Sequence, residues 1–443
     1  MDTWLGGFYV RTEDVLRRSG HLGFCLHRFD HGSGGGAVGL YNALLPSIVD
    51  AWGVSKTVLA PLLMLNTGGA FVFGLLGGKV LKNVKAKTCM LIGSICCGLF
   101  LVGIGYIQSY VPFVLLGLLA GFSTGLGTMV PGGIIAQDYF GRYNGRVFGL
   151  LLSVMFFINS FITSAAANML KSGMGYQEIC IIWGVIIGVG GSVLALIIRK
   201  PSEKVQKAVE EMKNAKLDDA KALKNAAVGG LTLKEAIRTP SLWLLAAGMC
   251  ATAVIVAAMN SYGTSFMTSY GLTNADAASY LAIYKFWMGV HALWSGFFAA
   301  KFGCKKFLWF VYSGILVGIA LLYFWSFGQS AIILTAAMIM LAFVKPIGAL
   351  PPIAIPEIFG RKDYDGINSI ENGFYYGGTF ISSLTTAMIL DFLGGSACII
   401  YLVILCVAAC IFTTLATVMS PLVKQRKALE KAAAEQEPSP ELS

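Results

Sequence analysis

Twelve separate apolar runs dominate this sequence, at 34–52, 57–80, 87–108, 111–137, 146–170, 177–198, 241–269, 277–300, 305–327, 330–356, 365–393 and 396–419. A helix needs about 20 apolar residues to cross the hydrocarbon core of a bilayer, and each run is near that length. The composition agrees. Of all residues 56% are apolar and 13% charged, against about 25% charged in a soluble globular protein, and the mean hydropathy is +0.71. Too little polar surface remains to cover two or three soluble domains. Disorder and collagen are excluded as well, because the 53 glycines have no three-residue period and aromatic residues are plentiful. Cys89, Cys96, Cys97, Cys180, Cys250, Cys398, Cys406 and Cys410 lie inside apolar runs with no CxxC pair, so they read as small hydrophobes rather than as disulfides or metal ligands. The chain reads as an all-α polytopic membrane protein.

Basic residues in short loops mark the cytoplasmic side of such a protein. With both termini inside, the inner segments after the first run hold 25 basic residues, while the outer loops hold two, Lys56 and Lys171. The net charge of +10 is therefore a topology signal. Nucleic-acid binding would need that charge gathered on one soluble module, and none is present. The organisation expected is an atypical segment 1–33, a six-helix bundle 34–198, a linker 199–240, a second bundle 241–420 and a cytoplasmic tail 421–443. The linker mixes charge signs and ends in TLKEAIRTPSLWLL, where Thr232 with Glu235 fits a capping box and Pro240 marks the next helix.

The two bundles repeat each other. DYFGRYNGRVFG follows the fourth run and EIFGRKDYDGINS follows the tenth. Phe140-Gly141-Arg142 answers Phe359-Gly360-Arg361 at an offset of 219, and Gly145 answers Gly366 at 221. A second pair follows runs two and eight: GFFAAKFGCKK, with Gly296, Lys301 and Gly303, and the looser GLLGGKVLKNVKAK, with Gly74, Gly78 and Lys79. Small residues there let helix ends approach closely, and the cations hold the loops inside. Internal repeats of this kind mark many transporters.

On these motifs the chain resembles a major facilitator superfamily transporter, with twelve transmembrane helices as two six-helix bundles. GFFAAKFGCKK is similar to that superfamily's GxxxDRxGRR signature, with Ala300 and Gly78 in place of the acidic residue in the two halves. The resemblance covers about residues 34–420. TLKEAIRTPSLWLL resembles the segment before helix 7 in the oxalate/formate-antiporter-like, monocarboxylate-type branch, which implies a small organic anion as substrate. That branch places an arginine on helix 8 and a lysine on helix 11. Here Lys285 stands on the eighth run and the eleventh has no lysine, so a two-cation dicarboxylate clamp is not carried over.

The first run departs from the pattern, being short and glycine-heavy. Residues 11–31 before it hold Arg11, Glu13, Asp14, Arg17, Arg18, Arg28 and Asp30, together with His21, His27 and His31. Either the first helix is short or the reading frame has shifted upstream of about residue 29; the second is favoured. His27 and His31 are spaced i, i+4, but nothing joins them, and no metal or cofactor is expected.

Ionisable residues inside spanning helices are expensive and are functional candidates by default. Lys285 and Lys345 fall near the midplane of runs eight and ten, with Glu371 nearer the cytoplasmic end of run eleven. Lys285 is expected as the main anion contact and Lys345 as its assistant. Glu371 is expected as their ion-pair partner or as the coupling group. Asn42, Asn66, Asn260, Tyr262 and Tyr375 are polar candidates for the same site, while His291, beside Trp287 and Trp294, reads as a packing histidine. Arg142, Arg361 and the small residues and cations of the two repeated loops are conformational candidates. Pro346, Pro351, Pro352 and Pro356 should break the tenth helix and free carbonyls for the cavity.

No GxxxxGK[ST] nucleotide loop occurs, so energy must come from a gradient, with a proton or counter-anion as the coupled species. A membrane-embedded enzyme would need a clustered acid, base or metal set, which these scattered groups do not supply. A multidrug-type carrier often shows GPxxGG on helix 5, and that stretch is absent from run five. A transporter impaired by its first helix remains a further alternative. The reading is a secondary transporter, monomeric, in the plasma or inner membrane with both termini cytoplasmic. A cysteine replacing Ala220 should label only from the cytoplasm and one replacing Asn274 only from outside. Outside labelling at 220 would overturn the orientation.

Overall fold

The computed structural model describes residues 34–125, 144–197, 230–349, 351–360 and 362–424. The candidates Arg142 and Arg361, the amino-terminal histidines and most of the linker lie outside these residues. The first half contributes α1 (Gly34–Trp52), α2 (Lys56–Asn83), α3 (Ala86–Tyr106), α4 (Tyr110–Thr124), α5 (Asn144–Lys171) and α6 (Tyr176–Ile197). The second contributes α7 (Pro240–Ser269), α8 (Asn274–Phe302), α9 (Cys304–Gly328), α10 (Ala331–Leu341), α11 (Tyr364–Met388) and α12 (Gly394–Met419). Among the described residues there is no strand, and seven helical stretches are long and apolar enough to cross a membrane.

The expected break in the tenth helix is present. After α10 the chain tightens into a 3-10 segment, Ala342–Ala349, that contains Lys345 and Pro346, and then resumes as the short helix Pro351–Ile358. Each proline removes a helical N–H donor and crowds the preceding turn. The repeated loops are shorter than the sequence suggested. Gly74, Gly78 and Lys79 lie within α2, which runs to Asn83, and Gly296 lies within α8. Chain reversal between α8 and α9 falls on Gly303 alone, at φ 79°, a conformation that costs a glycine little. At the same face, which we call the linker face, the Thr232–Glu235 capping box opens a one-turn helix, Leu233–Ile237. Its two bonds from Thr232 hold the Glu235 carboxyl below the usual carboxylate range.

Within the first half α3 packs on α6 and α2 on α4; within the second, α7 packs on α11 and α12 and α9 on α10. Among the described residues the main seams between the halves are α2 with α11, α5 with α8, and α1 with α7, and α1 also touches α8. Lipid gives apolar helices no reason to prefer each other to the bilayer, so close approach must supply the attraction. The α3–α6 contact shows how. A Cβ added to Gly98 would sit 2.7 Å from Gly188 Cα and 2.9 Å from the Gly184 carbonyl oxygen. Gly98→Ala should therefore force the two backbones apart and destabilise the protein by about 1–3 kcal/mol, read as a lower melting temperature in detergent. Gly190→Ala, on α6 but facing open space, should leave the melting temperature unchanged.

Candidate functional site

The seam between α5 and α8 carries the polar centre. Lys285, near the middle of α8, is only 2% exposed. Its Nζ donates to the Gly39 carbonyl on α1 at 2.9 Å and to Thr163 Oγ1 on α5 at 2.9 Å. Thr163 in turn donates to the Asn159 carbonyl one turn earlier, so its hydroxyl is oriented to accept from the lysine. Gly39 is required by this arrangement: a Cβ there would meet Asn159 Oδ1 at 2.3 Å and Lys285 Nζ at 2.9 Å. Nearby, Ser160 Oγ donates to the Ala282 carbonyl across the same seam at 2.7 Å. Lys345 reaches the seam from the 3-10 segment and places its Nζ 4.5 Å from the centroid of the Phe156 ring on α5. Both midplane lysines thus face the first half from the second.

Glu371 is not their ion-pair partner in this structure. It is 1% exposed, and neither carboxylate oxygen has a hydrogen-bond partner. The ion pairs among the described residues are Lys56–Asp391 and Lys171–Asp276. Lys285 instead meets a carbonyl and a hydroxyl, and Lys345 the face of an aromatic ring, which attracts a cation through its quadrupole.

The polar candidates separate into two groups. Asn42 and Asn66 each keep a side-chain Oδ1 without a hydrogen-bond partner, and Asn42 is buried. The Asn42 carbonyl accepts from Thr264 Oγ1 on α7 at 2.8 Å, a third tie across the seams. Others are committed within one half: Tyr262 donates to the Ser383 carbonyl on α11, and Asn260 donates to Val256 one turn back. Tyr375 stacks edge-on to Tyr376, whose ring meets Phe71 across the α2–α11 seam. His291 is a satisfied packing group, as expected. Trp294 Nε1 can only donate, so His291 Nδ1 accepts it, and the Nε2–H points to the Ile339 carbonyl.

Sequence reasoning missed Gly39, Thr163, Phe156 and Tyr284, whose buried hydroxyl has no hydrogen-bond partner. Part of the signal was present, since Asn159 and Thr163 are polar residues one helical turn apart in an apolar run. It also missed how the linker face is held. With no acid at position 300, Glu357, just before Phe359-Gly360, accepts the backbone N–H of Cys304 at 3.1 Å, at the first turn of α9. The two repeated motifs of the second half therefore touch, through a carboxylate on a helix amino terminus. Lys301 is exposed beside the Phe302 ring, and the side chains of Gly74, Gly78, Lys79 and Gly296 fall outside what the structure describes.

The sequence profile of the Major Facilitator Superfamily matches residues 32–350. The chain belongs to the Major Facilitator Superfamily. It is accordingly a multi-pass membrane transporter for a small molecule and not an enzyme. No curated protein matches it in sequence. Solved structures resemble it in fold. A bacterial homologue of the human lysosomal transporter Spinster, in an inward-facing and occupied conformation, gives a TM-score of 0.61 at 16% identity over 93% of this chain and 97% of that one. A D-xylose–proton symporter gives 0.62 at 14% identity, over 88% and 95%.

A buried cation with no countercharge carries a desolvation cost that its neutral hydrogen-bond partners only partly offset, and an apolar side chain of similar volume removes that cost. Lys285→Met in this transporter should accordingly raise the melting temperature of the purified protein. A fall would show that the lysine is a structural tie between α8, α1 and α5.

Proposed function

We propose that this transporter carries a small organic anion, of monocarboxylate type, by rocking its two halves about the α5–α8 seam. The observation that carries the reading is the setting of Lys285. It is buried at the seam and bonded only to neutral acceptors, with two of its three N–H donors in use. A buried cation with no countercharge is costly, and a substrate carboxylate arriving in the cavity would offset that cost. Lys345, parked over Phe156, is the second positive group on the same side of the seam and would assist. A single strong cation contact suits one carboxylate better than two, and the segment before α7 resembles the monocarboxylate-type branch.

Glu371 is the proposed coupling group. Its carboxyl, on α11, is buried and makes no hydrogen bond that would have to be broken for a proton to come and go. A proton or counter-anion is the coupled species in this reading, with the linker face cytoplasmic.

Uptake into proteoliposomes, measured with a panel of radiolabelled mono- and dicarboxylates, tests the assignment. Lys285→Gln should abolish anion uptake while leaving membrane insertion intact, and Glu371→Gln should change the pH dependence rather than the anion preference. Parent-rate transport of any anion by Lys285→Gln would refute the role given to the lysine.

A further inference from the structure

The two lysines that stand against the charge bias, Lys56 and Lys171, lie at the face opposite the linker, and each is bonded across a seam. Lys56, at the start of α2, is 3.3 Å from Asp391 Oδ1 beyond the end of α11. Lys171, at the end of α5, is 3.0 Å from Asp276 Oδ1 at the start of α8. Thr57 adds its backbone N–H and its hydroxyl to Asp391 Oδ2, both at 2.7 Å. At the same face Asn274 Nδ2 donates to Asp50 Oδ2 at 3.1 Å.

The repeat gives these pairs a meaning that neither has alone. Asp276 lies 220 positions after Lys56, and Asp391 lies 220 positions after Lys171, within the 219–221 offset of the repeated Phe-Gly-Arg motif. Equivalent positions of the two halves thus carry opposite charges, lysine in the first and aspartate in the second. Exchanging the halves about their pseudo-twofold axis turns one ion pair into the other with its signs reversed. At these two positions the first half is positive and the second negative, and they meet at two separate seams.

We propose that the two pairs form a charge-reversed double latch that holds the face opposite the linker closed, and that opening to that side requires both to part. Every bond concerned joins one moving half to the other, so none can persist while the halves separate there. The two pairs differ in strength. Lys171 and Asp276 are about half exposed, at 49% and 47% of their side chains, and such solvated pairs are weak, whereas Lys56 and Asp391 are mostly buried and Asp391 also accepts the two Thr57 bonds. Thr273 Oγ1 and then Lys171 hold the Asp276 carboxyl below its usual range, so it is charged when the face is closed. Asp391 is the middle residue of a π turn, Ile389–Leu393, a helix irregularity frequent where a side chain has a task.

The test uses Thr264→Cys as a reporter, since Thr264 is buried on α7 behind this face and bonded to α1. A membrane-impermeant maleimide is applied to either side of oriented vesicles, and labelling is quantified for each peptide by mass spectrometry at equal protein amounts. Native Cys180, fully buried in α6, reports folding by staying unlabelled. Asp276→Asn with Asp391→Asn should raise the reporter's labelling rate at least about fivefold from the outer side, as expected for losing one solvated pair and one more buried pair. The fourfold reversal, Lys56→Asp and Lys171→Asp with Asp276→Lys and Asp391→Lys, should bring the rate back toward that of the parent, short of it because a lysine cannot accept the two Thr57 bonds. Parent-rate labelling in the neutralised variant would overturn the latch, as would a reversed variant that labels like the neutralised one. A rise confined to the other side of the membrane would support the latch and overturn the cytoplasmic placement of the linker face. None of these outcomes depends on the identity of the substrate.

Discussion

A helix surrounded by lipid has its backbone bonds satisfied internally and its apolar side chains content with either lipid or protein. What holds twelve such helices in one arrangement must therefore be short-range: close backbone approach and a few polar ties. The structure uses them in different combinations. Glycine contacts such as Gly98 on Gly188 fuse helices inside a half, whereas the seams between halves add side-chain bonds and ion pairs to glycine contacts such as Gly39 and Gly289. That difference follows from what each joint must do. A glycine-fitted contact is rigid because any separation loses it entirely, while a hydroxyl or ammonium can let go of one acceptor and find another.

The same economy explains why the charged groups sit where they do. Lys285 and Lys345 extend from the second half toward α1 and α5 of the first, so both cations lie at the joint between the halves rather than within either one. Glu371, on α11, bonds to neither lysine. Cations and carboxylate are thus separated rather than paired, and the lysines are met by neutral groups instead.

Much of the architecture was legible in the sequence because bilayer thickness sets the length of every element. The twelve runs, the proline break after α10 and the capping box at Thr232 all depend on local rules. Loop positions were less legible, because α2 continues helical through Gly74 and Gly78, where small residues serve packing rather than turning. The site was read only in part. Lys285 stood out by its charge in an apolar run, but nothing in the chain between 39 and 163 announces that Gly39 and Thr163 converge on it. The expected link from lysine to Glu371 followed charge arithmetic; the fold instead satisfies the lysine with neutral oxygens on two other helices.

Three of the ties across the seams end on main-chain oxygen: Lys285 on Gly39, Thr264 on Asn42 and Ser160 on Ala282. A carbonyl is supplied by every residue type, so at positions 42 and 282 the joint specifies the donor and leaves the accepting side chain free, whereas at position 39 close packing confines it to glycine. The bonds at 42 and 282 can therefore outlast substitution on their accepting side, because what the donor needs there lies in the main chain.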